Sequence, residues 1–217
     1  SEEKSIQYMD RDERKEWADS LGIPGLAVCL LQIENDFKEE AYSLSALQER
    51  FRAFEKPGMD REDILRALIR AAAELTSKEA PKWEMIAARL LYLEFQTELK
   101  ARLRDLGILG FYEKLQYLTE KGLYGSYILE HYTREEIEEA AGFIDESRCR
   151  LFTYAGLDLL LKRYIICDHS HKGLETPQEM FLGIALHLAM REDRKGRMKW
   201  VGRFYDMLSK MQVTMAT

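Results

Sequence analysis

The clearest secondary-structure signal in the chain is residues 60–75, which read DREDILRALIRAAAEL. Asp60 is a residue type that commonly caps helix N-termini, and Lys56-Pro57-Gly58 ends the segment before it. The apolar residues that follow recur with helical spacing on one face: Ile64, Leu65, Leu68, Ile69 and Ala72. This stretch predicts a capped amphipathic helix with one buried face.

Most of the remaining chain also shows apolar residues at helical spacing. Only four prolines and 13 glycines interrupt the 217 residues, and 46% of them are apolar, which is enough for a sizeable core. Further helices are predicted from Pro24 through Val28, Leu31 and Ile33, over 46–54, from Pro81, near 110–121 and 133–141, and over about 154–163. A helix from Pro177 is predicted to turn four residues inward: Met180, Phe181, Ile184 and Leu188. The last predicted helix has five apolar residues on one stripe: Trp200, Val201, Phe204, Tyr205 and Leu208.

Short β-structure is predicted at three places in this mainly α fold. Residues 6–9 could form a strand that turns at 10–13, which gives a short N-terminal β-hairpin. Residues 164–175 predict a second small hairpin. The alternating run 211–217 predicts a terminal strand, and because a lone strand leaves its backbone groups unpaired, we expect the chain to be the front part of a longer one. Gly107 and Gly110 mark a boundary between two helical subdomains.

Composition excludes several classes of protein. Charged residues of both signs make up 32% of the chain and leave a net charge of −6, which argues against a general nucleic-acid binder. The three cysteines, Cys29, Cys149 and Cys167, predict reduced thiols rather than a disulfide framework. No apolar run is long enough for a membrane span and no signal peptide is evident, so a cytoplasmic location with no membrane partner is expected.

General catalytic motifs are missing from the sequence. There is no phosphate-binding loop, no GxGxxG, no HExxH and no CxxC, so no metal site is predicted. His169 and His171 alternate beside Asp168, but a solvated hairpin tip explains them. His187, in an apolar helix, is predicted to be a core histidine. Cys149 and Cys167 are interpreted as structural. These residues alone indicate only a helical domain.

The second half contains several collinear motifs. Residues 143–157 read FIDESRCRLFTYAGL; Tyr164-Ile165-Ile166 and Glu175-Thr176-Pro177-Gln178 follow; then come Arg203-Phe204-Tyr205-Asp206 and Met215-Ala216-Thr217. In this order they resemble the N-terminal helical region of class I ribonucleotide reductase large subunits. One departure is Cys149, where an acidic residue is expected after Arg148, which leaves a local salt bridge in question.

The first half is similar to the regulatory ATP-cone of such subunits, chiefly through Asp63-Ile64, 68–75, Glu79-Ala80-Pro81 and 86–90. The resemblance implies two domains, a degenerate ATP-cone-like domain at 1–106 and a helical domain at 107–217 that leads into a catalytic barrel. The cone normally carries Lys-Arg-Asp-Gly in its first hairpin, where this chain has Asp10-Arg11-Asp12-Glu13. Arg11 and Glu16 are the retained candidates for an effector nucleotide, ATP or dATP.

Two interpretations of the cone remain open. An aspartate in place of the lysine repels a triphosphate, and Glu13 would take the positive φ of a turn glycine only with strain. The first alternative is an intact effector site that switches activity. The second is a relic cone that keeps its helices and has lost its ligand. A shifted hairpin that binds the nucleotide through other residues is a further alternative.

Thr217 is the substrate-binding candidate implied by the resemblance. In the family a threonine at the start of the first barrel strand helps to bind the substrate near its phosphates, and a hydroxyl with an adjacent amide suits that task. An ordinary β-branched strand residue is the alternative.

The resemblance also implies an activity for the whole enzyme, the reduction of ribonucleoside diphosphates to deoxyribonucleotides. It implies a radical-generating small subunit, a reductant of the thioredoxin or glutaredoxin type, and a homo-oligomer of the full chain. No catalytic residue and no cofactor are expected within these 217 residues, and the piece alone is expected to be inactive. A free-standing nucleotide-binding regulatory domain is the alternative function.

Overall fold

The structure is a computed structural model that describes residues 10–210. It confirms the prediction of a mainly α fold, with almost no β-structure in that range. The α-helices are α1 Arg11–Ser20, α2 Leu26–Asp36, α3 Leu44–Arg52, α4 Arg61–Glu74, α5 Trp83–Asp105, α6 Phe111–Glu120, α7 Tyr127–His131, α8 Arg134–Ala141, α9 Tyr154–Arg163, α10 Pro177–Ala189 and α11 Arg197–Lys210. Short 3-10 helices lie at Glu40–Tyr42, Glu146–Leu151 and Arg194–Gly196.

The chain forms two compact units. The first contains the described residues through Glu94 together with Thr153–Ala155, and the second contains Phe95–Phe152 and the described residues from Gly156 onward. The division therefore falls inside α5. The assignment of 1–106 and 107–217 to two family domains stays a prediction, because compactness alone does not say what a unit descends from.

The first unit has a core built on α4 and the start of α5. Asp60 caps α4 as predicted, with its Oδ1 accepting the Asp63 N–H at 2.8 Å. The predicted face is buried at Leu65, Leu68, Ile69 and Ala72, while Ile64 is half-buried. The largest side chain in this core is Trp83, whose Nε1 donates to the Ala41 carbonyl at 2.9 Å. The buried indole thus has its one polar atom satisfied.

The predicted turn at residues 10–13 is wrong. Asp10 is the N-cap of α1: its Oδ1 accepts the Glu13 N–H at 2.8 Å, and the Glu13 carboxylate accepts the Asp10 N–H at 3.0 Å. This reciprocal pair is a capping box, which satisfies two helix-end donors at once. Glu13 is helical, so the strain expected from a positive φ is absent. The strand predicted at 6–9 lies outside the described residues.

The helix predicted through Val28, Leu31 and Ile33 is α2, and of these three residues only Ile33 is buried. Val28 is 62% exposed, whereas Leu26, Leu30 and Ile33 are buried. The helix starts after Gly25, whose φ of 80° lets the chain turn sharply behind Pro24.

The second unit is built around α10, which packs on α11, α7 and α8. Its buried apolar residues lie on one broad face: Phe181, Leu182, Ala185, Leu186 and Ala189. Ile184 and Leu188, predicted to point inward, are 37% and 41% exposed. On α11 the fully buried residues are Val201, Tyr205 and Ser209, while Trp200, Phe204 and Leu208 are only half-buried.

The hairpin predicted at 164–175 is reduced to one antiparallel bridge between Cys167 and Gly173. The Leu174 N–H donates to the Ile166 carbonyl at 2.8 Å, and the turn includes His171 with a φ of 60°. A Cβ on Gly173 would lie 2.7 Å from the Phe95 ring and 2.8 Å from the Ile165 side chain. Only glycine fits there without moving two buried neighbours.

Among residues 10–210, no helix combines the length and the apolarity that crossing a membrane requires.

Candidate functional site

The two predicted effector residues lie on α1 and are both exposed. Arg11 and Glu16 are five positions apart, which places them about 140° apart around a helix of 3.6 residues per turn. The structure therefore puts them on different sides of α1 and does not bring them together. Thr217, the predicted substrate residue, lies outside the described residues.

An open cleft of about 420 Å³ in the first unit contains a residue that the sequence argument missed. Arg14 lines it, and its Nε donates to Glu34 Oε2 at 3.0 Å. Glu39 and Glu40 line the same cleft together with Lys38. Carboxylates thus outnumber the cations in this lining, which is poorly suited to the oxygens of a triphosphate.

A second cleft of the first unit, of about 660 Å³, carries more positive charge. Lys56, Arg66 and Arg70 line it with Asp63, and Arg70 lies over the Phe54 ring at 4.5 Å from its centroid. Arg66 pairs with Glu62, and Arg70 pairs with Glu74, each one helical turn away. These ion pairs offset much of the charge that an anionic ligand would meet.

A buried polar network in the second unit joins α10, α11 and the segment before α9. Tyr205 is fully buried, and its hydroxyl donates to Gln178 Oε1 at 2.6 Å while accepting the Asp145 N–H at 2.9 Å. Gln178 Nε2 in turn lies 3.5 Å from Cys149 Sγ. Gln178 and Tyr205 stand in the quoted motifs, but sequence alone assigned them no task because their contact depends on how the helices pack.

Arg148 adds a second set of contacts to the same end of α11. Its Nη1 donates to Asp206 Oδ1 at 2.9 Å and also to the Ser209 hydroxyl. The guanidinium lies 5.3 Å from the centroid of the Tyr205 ring. Arg148 also pairs locally with Asp145 at 3.6 Å, so it has two acidic partners although position 149 supplies none.

Two buried acidic groups lie at the start of α10. Lys114 Nζ donates to both Glu179 oxygens, at 2.6 and 2.8 Å, and the two side chains are 7% and 11% exposed. Glu175 is 5% exposed and its Oε1 accepts the Ile166 N–H at 3.0 Å. Burial raises the pKa of Glu175 to about 7; the Ile166 hydrogen bond and Lys114 oppose the rise, and Glu179 adds to it. Glu175 stands in a quoted motif, but the sequence alone did not indicate that its carboxyl group is buried.

The histidines and cysteines form no chemical site within residues 10–210. His169 and His171 are exposed in a turn where Asp168 Oδ1 accepts the Ser170 and Lys172 N–H groups. No cluster of metal-ligating side chains occurs in that range. The three cysteines are free thiols, and burial raises the pKa of Cys167. The prediction of a core histidine at 187 is wrong, since His187 is exposed and packs edge-on against Tyr127.

Comparison with known proteins defines the class of the second unit. The family model described as "Ribonucleotide reductase, all-alpha domain" matches residues 150–217. This range includes α10, α11 and Gln178, Tyr205 and Ser209 of the polar network.

Similar proteins extend the match toward the N-terminus. The ribonucleoside-diphosphate reductase subunit alpha of Treponema pallidum is 56% identical over 188 residues, which are 87% of this chain and 22% of that protein. The subunit alpha of Enterobacteria phage T4 is 30% identical over 174 residues, 79% of this chain and 22% of that protein. The ribonucleoside-diphosphate reductase 1 subunit alpha of Escherichia coli is 29% identical over 161 residues, which are 74% of this chain and 21% of that protein.

The chain belongs to the ribonucleotide reductase large-subunit family and corresponds to the N-terminal region of these subunits. It spans about a fifth of the length of the relatives it matches.

Proposed function

We propose that this chain is the supporting N-terminal part of a ribonucleoside-diphosphate reductase large subunit. The observation that carries the proposal is the match of residues 150–217 to the all-alpha domain, together with the buried network that ties α10 to α11 within it. In this proposal the whole subunit reduces ribonucleotides to deoxyribonucleotides. A radical-generating small subunit, a thioredoxin- or glutaredoxin-type reductant and a second copy of the full chain are its partners, and it works in the cytoplasm.

The residues of this chain do not supply the radical chemistry in this proposal. Cys149 is buried, and burial raises the pKa of the Cys167 thiol, so neither is arranged as an exposed thiolate for electron delivery. Thr217 is proposed to bind the substrate through its hydroxyl, next to the phosphates. In this proposal the chain contributes one substrate-binding residue, Thr217, and the helices that precede it in the sequence.

Activity measurements test this assignment. We expect no ribonucleotide reduction from the purified 217-residue chain, and turnover from a full-length subunit that contains it, once the small subunit and a dithiol reductant are added. Turnover by the 217-residue chain alone would overturn the supporting role. A full-length subunit that binds its small subunit but reduces no ribonucleotide would contradict the assigned reaction.

For the first unit we propose a cone that has lost its effector. Three observations support this: Asp10 is used as a helix cap, Arg11 and Glu16 lie on different sides of α1, and carboxylates outnumber cations in the cleft beside Arg14. A retained ATP or dATP site would need cations gathered at one place.

Calorimetric titration of the chain with dATP and with ATP tests the relic cone. We expect no heat of binding at micromolar nucleotide. Saturable binding with a micromolar dissociation constant would instead support an effector site. The Arg11→Ala variant then tests whether the predicted residue is part of it.

A further inference from the structure

A turn segment between α9 and α10, residues 166–175, is closed in part by a side chain. The Ile166 carbonyl accepts the Leu174 N–H at 2.8 Å, and the Ile166 N–H donates to Glu175 Oε1 at 3.0 Å. In a regular antiparallel pair the Ile166 N–H would donate to the Leu174 carbonyl instead. The closure of the turn segment therefore depends on one buried, titratable side chain.

The two limbs of the turn segment are held differently. In the later limb, residues 173–175, the Gly173 carbonyl accepts two hydrogen bonds from Arg102 of α5, at 3.0 Å from Nε and 2.8 Å from Nη2. The earlier limb, residues 166–172, has exposed side chains at its tip. It is joined to the later limb by the two hydrogen bonds of Ile166 and the neighbouring bridge. Loss of the side-chain bond therefore loosens the earlier limb first.

The groups that face Glu175 from the neighbouring helices do not compensate its charge. Lys114 of α6 donates to both oxygens of Glu179 of α10, so its ammonium is already bonded to another carboxylate. Glu179 carries the same charge as an ionised Glu175 and disfavours its ionisation. Tyr124, between α6 and α7, supplies no charge, because burial and the Glu175 carboxylate raise the pKa of its hydroxyl. Ionisation of Glu175 thus places a second carboxylate beside one buried ammonium.

The groups of the turn segment itself do not compensate Glu175 either. Asp168 is acidic, and burial, followed by Asp168 and Glu175, raises the pKa of the Cys167 thiol. The guanidinium of Arg102 opposes that rise, but it is bonded to the Gly173 carbonyl. A carboxylate in the closed segment is therefore buried among groups that mostly disfavour it, and contact with water relieves this cost.

We propose that the turn segment is a pH-sensitive switch: the neutral Glu175 carboxyl group keeps the earlier limb closed, and ionisation of Glu175 raises the fraction of molecules in which that limb is open. In the open form the carboxylate is hydrated, its proton has passed to solvent and the Ile166 N–H is released. The later limb stays bonded to Arg102. This switch is independent of the reaction assigned to the whole subunit and goes beyond the proposed function.

The balance between the closed and open forms depends on pH because Glu175 has a different pKa in each. Its pKa is about 7 in the closed form and returns to the ordinary 4.5 when the carboxyl group is in water. Closure is therefore strongest below pH 4.5 and weakens as the pH rises through 7. Between pH 5 and pH 7 this linkage raises the open fraction about 40-fold, and above pH 7 the fraction levels off.

Amide hydrogen exchange of the full-length subunit tests this switch when single amides are followed by mass spectrometry and corrected for the intrinsic rate at each pH. We expect the protection of the Ile166 and Leu174 amides to fall about 40-fold between pH 5 and pH 7. In Glu175→Gln the protection should not depend on pH, because the side-chain amide is neutral and its oxygen can still accept the Ile166 N–H. Glu120→Gln, at an exposed position of α6, should behave as the wild type.

Urea distinguishes opening of the limb from unfolding of the whole unit. Local opening exposes little surface, so exchange at Ile166 should stay unchanged up to about 1 M urea, whereas exchange at the buried Leu186 should become faster. Exchange at Ile166 that accelerates with urea in step with Leu186 would overturn the inference. Protection of Ile166 that is independent of pH in the wild type, or equally dependent on pH in Glu175→Gln, would overturn it as well.

Discussion

Glu175 is a carboxyl group of the second unit whose surroundings differ strongly from water. Its carboxyl group is buried, accepts one backbone N–H, and has a Lys114 ammonium nearby that is already bonded to Glu179. Because the lysine is shared, it does not compensate fully for the loss of water around Glu175. The carboxyl group therefore favours its neutral form at a pH where an exposed glutamate is charged.

The pH dependence of stability follows from that shift. The pKa of Glu175 rises from 4.5 to about 7 in the folded state, so its contribution is fully present below pH 4.5 and is lost as the pH rises toward 7. At pH 8 the ionised side chain costs roughly 3 kcal/mol. We expect Glu175→Gln to be more stable than the wild type at pH 8 and equal to it at pH 4.5, in urea unfolding followed by circular dichroism. Glu120 is exposed and gives a control, since Glu120→Gln should leave the free energy of unfolding unchanged at both pH values. If the free energies of unfolding of the wild type and Glu175→Gln changed with pH in parallel, the expectation would be contradicted.

Lys114 and Glu179 form a pair that is stabilising only while it is complete. Removal of the ammonium in Lys114→Met leaves a buried carboxylate, which we expect to cost about 3–5 kcal/mol of unfolding free energy. Glu179→Gln in the same protein should recover a large part of that loss, because the amide is neutral and can still accept the Thr176 N–H. Arg134→Met breaks two exposed ion pairs, with Glu138 and Glu113, and should cost only about 1 kcal/mol. A double variant less stable than Lys114→Met would argue against this account.

At the scale of the elements, the start of α1 depends on one side chain. Asp10→Ala removes the acceptor for the Glu13 N–H, and loss of an N-cap of this type costs about 1 kcal/mol. We expect faster amide hydrogen exchange in the first turn of α1, measured by NMR, with Asp10→Ser restoring the wild-type rate. Asp12→Ala is the control, because Asp12 lies in the same turn and is not the cap. Equal exchange rates in Asp10→Ala and wild type would show that the cap does not hold the helix end.

The sequence predicts the helices well where local signals agree. Asp60, Pro177 and the apolar spacing of 154–163 define three helices whose observed bounds match closely. Residues 10–13 start a helix and not a turn, because their pattern Asp-x-x-Glu is a capping signal that outweighs the resemblance to a family hairpin. The five-residue α7 was missed, since so short a helix has little periodicity to detect.

Orientation and chemistry were harder to predict than helix position. In α10 nearly every residue from Phe181 to Ala189 is apolar, so periodicity could not tell that Ile184 and Leu188 face outward. The Tyr205–Gln178 bond and the raised pKa of Glu175 arise from contacts between residues distant in sequence. Of the predicted site residues, Arg11 and Glu16 are on different sides of one helix, and Thr217 remains a prediction.

At the scale of the whole molecule, each unit combines contacts between neighbouring helices with bonds between distant residues, and the bonds of the second unit span more of the chain. The first unit packs helices that are neighbours in sequence, α1 on α2 and α3 on α4. The second is closed by bonds between distant residues: Arg102 to the Gly173 carbonyl spans 71 positions, and Lys114 to Glu179 spans 65. Forming a contact between residues close in sequence costs little chain entropy, whereas a contact between distant residues costs more.

This difference in sequence separation has a consequence for protein synthesis. Helix pairs of the first unit can form while the ribosome is still translating the second, because both partners of each pair have already emerged. The hydroxyl of Tyr205 meets the Asp145 backbone only after 60 further residues have been made. Until then the core around the polar residues Gln178, Lys114 and Glu175 is incomplete. During synthesis the second unit therefore passes through a stage in which polar groups that are buried in the folded protein are exposed to water and to chaperones.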